Sequence, residues 1–202
     1  MKIEEMLNKV ICGDCLEVMK DIPDKSIDLI ITDPPYGIKI SSNPFRQKFP
    51  RKQWDNFTPS QEYFDEMFRI AKNVVCFGGN YFSNYLPQSK GFFIWDKGQP
   101  EKFSSAMVEY IYSSKNKPAK MFRQKVNTYP KFHPTTKPVN LIEWILSYYP
   151  ECKTVLDPFA GSGTTGVACK NLNRNYILIE KEPEYIDIIN KRLNTLNQDK
   201  LL

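Results

Sequence analysis

The stretch that most restricts the fold is an apolar run stopped by two consecutive prolines. Residues 27–31 (Ile-Asp-Leu-Ile-Ile) are mostly β-forming and predict a buried strand. Pro34 and Pro35 cannot donate the hydrogen bonds of a sheet, and each holds the residue before it in extended backbone. We therefore expect Asp33 at the carboxyl end of the strand, where open α/β sheets bind ligands, with Tyr36 on the same turn. A plain surface turn is the alternative, because Asp-Pro often opens turns.

A second segment, late in the chain, joins a short strand to closely spaced glycines. Residues 154–157 (Thr-Val-Leu-Asp) predict a strand, and Gly161 and Gly163 open the turn into a helix that begins at Thr164. Glycines let the backbone approach a ligand closely, and a helix start offers free amide donors. Glu180 ends the next strand about 20 residues beyond the loop, a spacing that suits ribose hydroxyls. The spacing is not Gly-x-Gly-x-x-Gly, which argues against a dinucleotide-dependent dehydrogenase.

Strands and helices alternate along the chain, which predicts an α/β fold with a mostly parallel sheet and helices on both faces. The 202 residues suit a single domain. The alternation in 107–113 favours an antiparallel strand. Asp14 follows the first strand and could cap the next helix or line a pocket. The other predicted strands are 9–12, 73–77, 91–96 and 176–179, and the main predicted helices are 58–71, 81–86, 139–149, 164–172 and one from Pro183.

The charge of the chain is unevenly distributed. The net charge is only +5, yet the stretches 39–53 and 113–137 contain basic residues and no acidic ones. Aromatic residues lie among these cations, which favours a nucleic-acid surface over an ordinary solvated charge run. The basic loops are taken as 39–57 and 113–131. The predicted contacts to nucleic acid are Lys39, Arg46, Lys48, Arg51, Lys52, Lys117, Lys120, Arg123 and Lys125.

Cysteine usage and hydropathy indicate a cytoplasmic protein. Cys76 and Cys169 lie in apolar runs, which favours reduced thiols over a disulfide framework. Cys12 and Cys15 form a CxxC motif. The chain has one histidine, so this pair cannot complete a usual zinc site without distant cysteines. We therefore predict no metal, and redox chemistry is the alternative. No apolar run reaches the ~18 residues that span a bilayer, and no signal-peptide core is evident.

Two motifs resemble those of a known enzyme family. Asp33-Pro34-Pro35-Tyr36 resembles the catalytic tetrapeptide of DNA amino-methyltransferases, and residues 154–164 resemble their S-adenosylmethionine loop. The tetrapeptide precedes the loop, as in the beta group of that family, so the motif order is circularly permuted. The resemblance implies a Rossmann-like S-adenosylmethionine-dependent methyltransferase fold. It implies a seven-stranded sheet with one antiparallel strand, in which 9–12 lies beside 176–179.

The resemblance also implies the site residues. The catalytic ones are Asp33, Pro34, Pro35 and Tyr36: the Asp33 carboxylate and the Pro34 carbonyl accept the two hydrogens of the target amine, and Tyr36 stacks on the base. His133 is not expected to act as a base. The residues implied to bind S-adenosyl-L-methionine are Asp14, Cys15, Asp33, Thr135, Lys137, Asp157, Pro158, Phe159, Gly161, Gly163, Thr164, Thr165, Glu180 and Lys181.

The expected substrate is the N6 amine of adenine in double-stranded DNA, with the base flipped out of the helix. Aspartate at position 33 resembles the adenine enzymes more than the N4-cytosine enzymes, which usually carry serine there. N4-cytosine methylation, methylation of RNA or protein, and a non-catalytic DNA-binding module are the alternatives. Segments 96–105 and 115–131 fall where relatives carry target-recognition segments, but both are short, so no separate recognition domain is expected. A homodimer and a cognate restriction endonuclease are the further partners that the family suggests.

Overall fold

The computed structural model describes residues 2–38, 58–102, 105–132 and 135–198, and in these ranges strands and helices alternate as the sequence predicts. The strands are β1 Lys9–Cys12, β2 Ile27–Thr32, β3 Ala71–Phe77, β4 Gly91–Asp96, β5 Val108–Ser113, β6 Lys120–Arg123, β7 Thr154–Asp157 and β8 Asn175–Glu180. The helices are α1 Ile3–Met6, α2 Cys15–Lys20, α3 Gln61–Ile70, α4 Val139–Ser147, α5 Thr164–Asn171 and α6 Pro183–Gln198.

All eight strands join one sheet in the order β1-β8-β7-β2-β3-β5-β4-β6. Strand β5 runs antiparallel to both of its neighbours, and the other pairings are parallel. The predicted α/β class, the reversed strand at 107–113 and the place of the first strand beside β8 are confirmed. Strand β7 lies between β8 and β2, so the late glycine segment and the early proline turn are carried by neighbouring strands.

Helices cover both faces of the sheet, which explains why the central strands β2 and β3 are mostly apolar and buried. Along β3, Val75 packs into one hydrophobic cluster with helices α4, α5 and α6, while Val74 packs into the other with α2 and α3. Both side chains are fully buried. Across the described ranges, the helices are all too short or too polar to cross a bilayer.

Two local predictions differ from the structure. The sheet has one strand more than the expected seven, because part of the basic segment 113–131 forms β6 along the outer edge of β4. Phe122 of β6 is half-buried and packs on Trp144 of α4, which fixes this short strand to the core. Residues 81–86 form successive turns rather than a helix: the N–H groups of Tyr81, Phe82 and Tyr85 each donate to the carbonyl three residues back, and no regular four-residue ladder follows.

Candidate active site

The carboxyl ends of four neighbouring parallel strands open onto one cavity of about 630 Å³. Asp14 follows β1, Asp33 follows β2, the Pro158–Ser162 turn follows β7, and Glu180 ends β8. Parallel strands bring their carboxyl ends to the same edge of a sheet, so segments far apart in the chain meet here. The volume lies in the range of small-molecule sites, about 300–1,000 Å³.

The turn after β7 is held by a buried carboxylate. Asp157 accepts hydrogen bonds from the Thr165 hydroxyl at 2.6 Å and from the Phe159 N–H at 3.1 Å. Burial raises the pKa of Asp157 to about 7. Gly163, which precedes α5, has a φ of +74°, and a Cβ at this position would lie 2.8 Å from Ile189 of α6. The turn therefore needs glycine at position 163, both for its backbone and for its contact with α6.

Glu180 links the end of β8 to the same turn. Its carboxylate accepts the N–H of Gly161 at 2.8 Å and the N–H of Glu182 at 2.8 Å. Burial raises the pKa of Glu180. Asp14 caps α2 by accepting the Leu16 N–H at 3.0 Å, and it also lines the cavity, so both interpretations of this residue hold.

A cluster of charged groups lies beside the proline turn. Lys137 Nζ is 2.5 Å from Asp33 Oδ2 and 3.1 Å from Glu109 Oε1. The Tyr36 hydroxyl is 2.5 Å from Asp33 Oδ1 and 2.9 Å from Glu109 Oε1. Lys97 pairs with the other oxygen of Glu109 at 2.8 Å. Two carboxylates thus share one ammonium group and one hydroxyl.

The pKa values of Asp33, Glu109, Tyr36 and Lys137 are all shifted from their ordinary values. Burial raises the pKa of Asp33, with Lys137 opposing and Glu109 adding to the rise. Burial alone would also raise the pKa of Glu109, but Lys137 and Lys97 outweigh it and lower that pKa to about 2. Burial, with Asp33 and Glu109 beside it, raises the pKa of Tyr36 well above its usual value. Burial would lower the pKa of Lys137, but the two carboxylates outweigh it and raise that pKa.

The ring of Tyr36 is enclosed by aromatic neighbours. Tyr81 stacks on it with centroids 4.7 Å apart and an angle of 13° between the planes, and Phe82 meets it edge-on. Gly78 packs against the ring so closely that a Cβ would lie 2.4 Å from it, and its φ is +64°. Pro34, on the same turn, is buried, and Pro35 lines the cavity.

The residues implied to bind the cofactor lie around the cavity, with the exception of Gly163, which shapes the turn from behind. Burial raises the pKa of the Cys15 thiol to about 12, so this cavity residue is an inert thiol. The implied cofactor-binding residues that line the cavity wall are Asp14, Cys15, Asp33, Thr135, Lys137, Asp157, Pro158, Phe159, Gly161, Thr164, Thr165, Glu180 and Lys181.

Three site residues were not predicted from the sequence. Glu109 shares a strand face with Ile111 and Ser113, which are both buried, and this period-2 pattern could have marked it. Tyr63 of α3 lines the cavity, with its ring centroid 6.0 Å from that of Phe159. No motif marks Tyr63.

The third of these residues is Arg192 of α6, which clamps the glycine turn from outside the cavity. Its guanidinium donates to the carbonyl and hydroxyl of Ser162 and to the Thr164 hydroxyl, and it lies over the Phe132 ring at 4.5 Å. Burial lowers the pKa of Arg192 to about 10. Its position three residues after Ile189 in α6 places it on the core-facing side, which is the signal that could have found it.

Four of the nine predicted nucleic-acid contacts lie in the described ranges of the chain. Lys117, Lys120, Arg123 and Lys125 are exposed on and around β6, at the far edge of the sheet, and none of them lines the cavity. Arg123 forms an ion pair with Asp96 at 2.7 Å. The contacts that lie outside the described residues are Lys39, Arg46, Lys48, Arg51 and Lys52.

Comparison with known proteins finds one family throughout. Residues 78–191 match a family model described as DNA methylase, of the N6/N4 methyltransferase type. Among curated proteins, the chain is 32% identical to the Type II methyltransferase M.HinfI of Haemophilus influenzae, over 96% of this chain and 70% of that protein. It is 29% identical to the Type II methyltransferase M.HpaI of Haemophilus parainfluenzae, over 94% of this chain and 75% of that protein.

Solved structures of DNA methyltransferases share the fold of this chain. The M1.HpyAVI–SAM complex matches with a TM-score of 0.60 and 25% identity, covering 92% of this chain and 98% of that one. The cytosine-N4-specific PvuII DNA methyltransferase matches with a TM-score of 0.67 and 18% identity, covering 91% and 85%. The PvuII match bears on the fold alone.

Proposed function

The chain belongs to the N6/N4 DNA methylase family, and on that premise we propose that it transfers a methyl group from S-adenosyl-L-methionine to the N6 amine of adenine in double-stranded DNA. The observation that carries the proposal is that Asp33 and Gly161, from the two motifs, line a single cavity. Either motif alone would fit a ligand site. Together they give a methyl-donor site next to an acceptor for an amine.

The residues of the cavity fit the cofactor. Carboxylates from three strand ends, Asp14, Asp33 and Glu180, suit a ligand that carries a sulfonium cation and ribose hydroxyls. Tyr63 and Phe159 supply aromatic walls for a purine. The bound cofactor supplies a methyl group already activated by its positive sulfur. The protein therefore needs no acid or metal to prepare the methyl group.

The protein's task is to prepare the amine, which is a poor nucleophile because its lone pair is delocalised into the ring. Asp33 accepts one amine hydrogen and the Pro34 carbonyl accepts the other, which draws the nitrogen towards tetrahedral geometry. Positioning and electrostatic preorganisation of this kind supply several kcal/mol. Tyr81 covers one face of the Tyr36 ring, so a base that stacks on that face requires Tyr81 to move aside.

The choice of adenine depends on Asp33 at the first position of the tetrapeptide. The test is mass spectrometry of nucleosides after duplex DNA has been incubated with the protein and S-adenosyl-L-methionine. We expect N6-methyladenine, and N4-methylcytosine without it would reject the adenine assignment. RNA and single-stranded DNA of the same sequence serve as competing substrates, because a flipped base costs a few kcal/mol only in a duplex.

Phosphate contacts from the basic segments would make binding fall with salt. The wild-type protein and a variant in which Lys117, Lys120 and Lys125 become glutamine test this by fluorescence anisotropy with labelled duplex across salt concentrations. These three lysines are exposed and lie far from the cavity, so the variant should keep its affinity for the cofactor. A homodimer, a companion endonuclease and the cytoplasmic location stay predictions from the sequence.

A further inference from the structure

Glu109 is a charged side chain that neither motif contains, yet it belongs to the centre of the site. It lies on β5, the one reversed strand, and its side chain is 10% exposed. It contacts both groups that also contact Asp33, namely Lys137 at 3.1 Å and the Tyr36 hydroxyl at 2.9 Å. A buried carboxylate in this position needs a role, because burying a charge is costly unless it is paired.

A count of hydrogens shows that the two carboxyl groups compete. The Tyr36 hydroxyl carries one hydrogen, but it approaches oxygens of both Asp33 and Glu109. When both carboxyls are ionised, only one of them can receive that hydrogen. The Lys137 ammonium has three hydrogens and can serve both, at 2.5 and 3.1 Å.

Lys97 makes the competition unequal. It pairs with Glu109 at 2.8 Å, and the described contacts of Asp33 do not include it. Glu109 therefore stays ionised and also pairs with Lys137. Asp33 shares both of its partners, Lys137 and the Tyr36 hydroxyl, with Glu109. Without Glu109, both donors would belong to Asp33 alone.

This matters because methylation releases a proton. The amine nitrogen forms its bond to the methyl carbon with its lone pair, and one N–H bond then breaks with its electron pair left on nitrogen. The proton needs an acceptor within hydrogen-bond reach of the amine. A carboxylate fully paired with a buried ammonium is a weak acceptor, because the ion pair favours its charged form.

We propose that Glu109 is a positioning residue that shares Lys137 and Tyr36 with Asp33, so that neither donor pairs with Asp33 alone and the Asp33 carboxylate stays available to accept the proton of the target amine. The inference rests on the proposed function. It assigns a task to β5, the reversed strand that carries Glu109 to the edge of the cofactor cavity.

Other titratable groups near Asp33 must be held constant in a test. Besides Lys137, Tyr36 and Glu109, its electrostatic neighbours in the described chain include Asp157 and Cys76. Burial keeps the Cys76 thiol neutral, and Asp157 titrates near pH 7. Comparison of variants that all retain these two groups removes their contribution.

The experiment is the pH dependence of the single-turnover rate of methyl transfer to duplex DNA. Glu109→Gln keeps an acceptor for the Tyr36 hydroxyl but removes the negative charge. Asp33 then becomes the one carboxylate of the cluster that pairs with Lys137. We expect the acid limb of the profile to move to lower pH by about one unit and the rate on the plateau to fall roughly tenfold. Glu109→Asp retains the charge and should keep the limb near its wild-type position.

Lys97→Met gives an opposite prediction. Lys137 by itself also favours the charged form of Glu109. Without Lys97, an ionised Glu109 therefore takes a larger share of Lys137, and the acid limb should move to higher pH. Glu101→Gln, on an exposed turn, removes the same charge from a residue that takes no part in the cluster's ion pairs, and it should leave the profile unchanged. Affinity for S-adenosylhomocysteine, measured by calorimetry, establishes that each variant is folded.

The outcomes separate clearly. An active Glu109→Gln protein with the wild-type profile, or one shifted to higher pH, would overturn the inference. If Glu109→Gln fails to bind S-adenosylhomocysteine, the Lys97→Met shift decides the question, and an unchanged limb there would overturn it. A wild-type protein that methylates no nucleic acid would reject the proposed function itself, and the inference with it.

Discussion

Replacement of Gly163 by alanine should destabilise the protein through two separate effects. The φ of +74° costs a residue with a Cβ about 1–2 kcal/mol. The new Cβ would also lie 2.8 Å from Ile189, a fully buried side chain of α6, and overpacking of this kind typically costs about 1–3 kcal/mol. Together they predict a loss of about 2–5 kcal/mol in the free energy of unfolding.

The assay is urea denaturation, with the midpoint and the slope fitted separately. Gly13→Ala is the matched control, because its Cβ would meet Val18 at 3.6 Å, an ordinary contact, and this glycine also lines the cavity. We expect Gly13→Ala to lie within about 0.5 kcal/mol of the wild type.

A second substitution separates the two effects. Ile189→Ala alone costs about 2–5 kcal/mol because it removes a fully buried side chain. Combined with Gly163→Ala it removes Cγ1 and Cγ2, the two atoms nearest to the new Cβ, and leaves the backbone cost unchanged, so the double variant should be more stable than the sum of the single effects predicts. A Gly163→Ala protein as stable as the Gly13→Ala control would show that position 163 does not require glycine.

Three further substitutions test other parts of the site. Arg192→Met removes the clamp on the 161–164 turn and should weaken S-adenosyl-L-methionine binding about tenfold in calorimetry, whereas unchanged affinity would contradict the clamp. Tyr81→Ala uncovers Tyr36 and should lower the KM for DNA, but not the Kd for the cofactor; a raised KM would mean that Tyr81 supports the base. Asp157 has a raised pKa in the folded state, so its contribution to stability is full at acid pH and is lost as pH rises through about 7. Asp157→Asn should remove that loss, which urea titrations at pH 5 and pH 8 would measure, and an equal pH dependence in both proteins would contradict it.

Local sequence signals were sufficient to predict where the strands that carry the two motifs end. The apolar run before Pro34 and Pro35 predicted β2 and the place of Asp33, and the glycines after 154–157 predicted the turn into α5. These signals are local, because prolines and positive-φ glycines act on their own backbone. Their meeting in one cavity followed from the parallel order of the strands.

The contacts within the charged cluster could not be predicted in the same way. The contact of Glu109 with Lys137 depends on the register of β5 against β3 and β4 and on the close approach of Gly78 to the Tyr36 ring. A one-residue shift of that register would turn Glu109 to the opposite face. Strand β6 was not predicted because it is four residues long and two of them are basic, so its extended backbone depends on pairing with β4.

The division of the cavity between an amine acceptor and a cofactor site is tested by Asp33→Ala and Glu180→Gln, with radiolabelled methyl transfer to duplex DNA and calorimetric binding of S-adenosyl-L-methionine measured on the same preparations. We expect Asp33→Ala to abolish transfer while it retains most of the affinity for the cofactor. We expect Glu180→Gln to weaken the affinity roughly tenfold and still to transfer methyl groups at saturation. Methyl transfer by Asp33→Ala at the wild-type rate would show that Asp33 is not the amine acceptor.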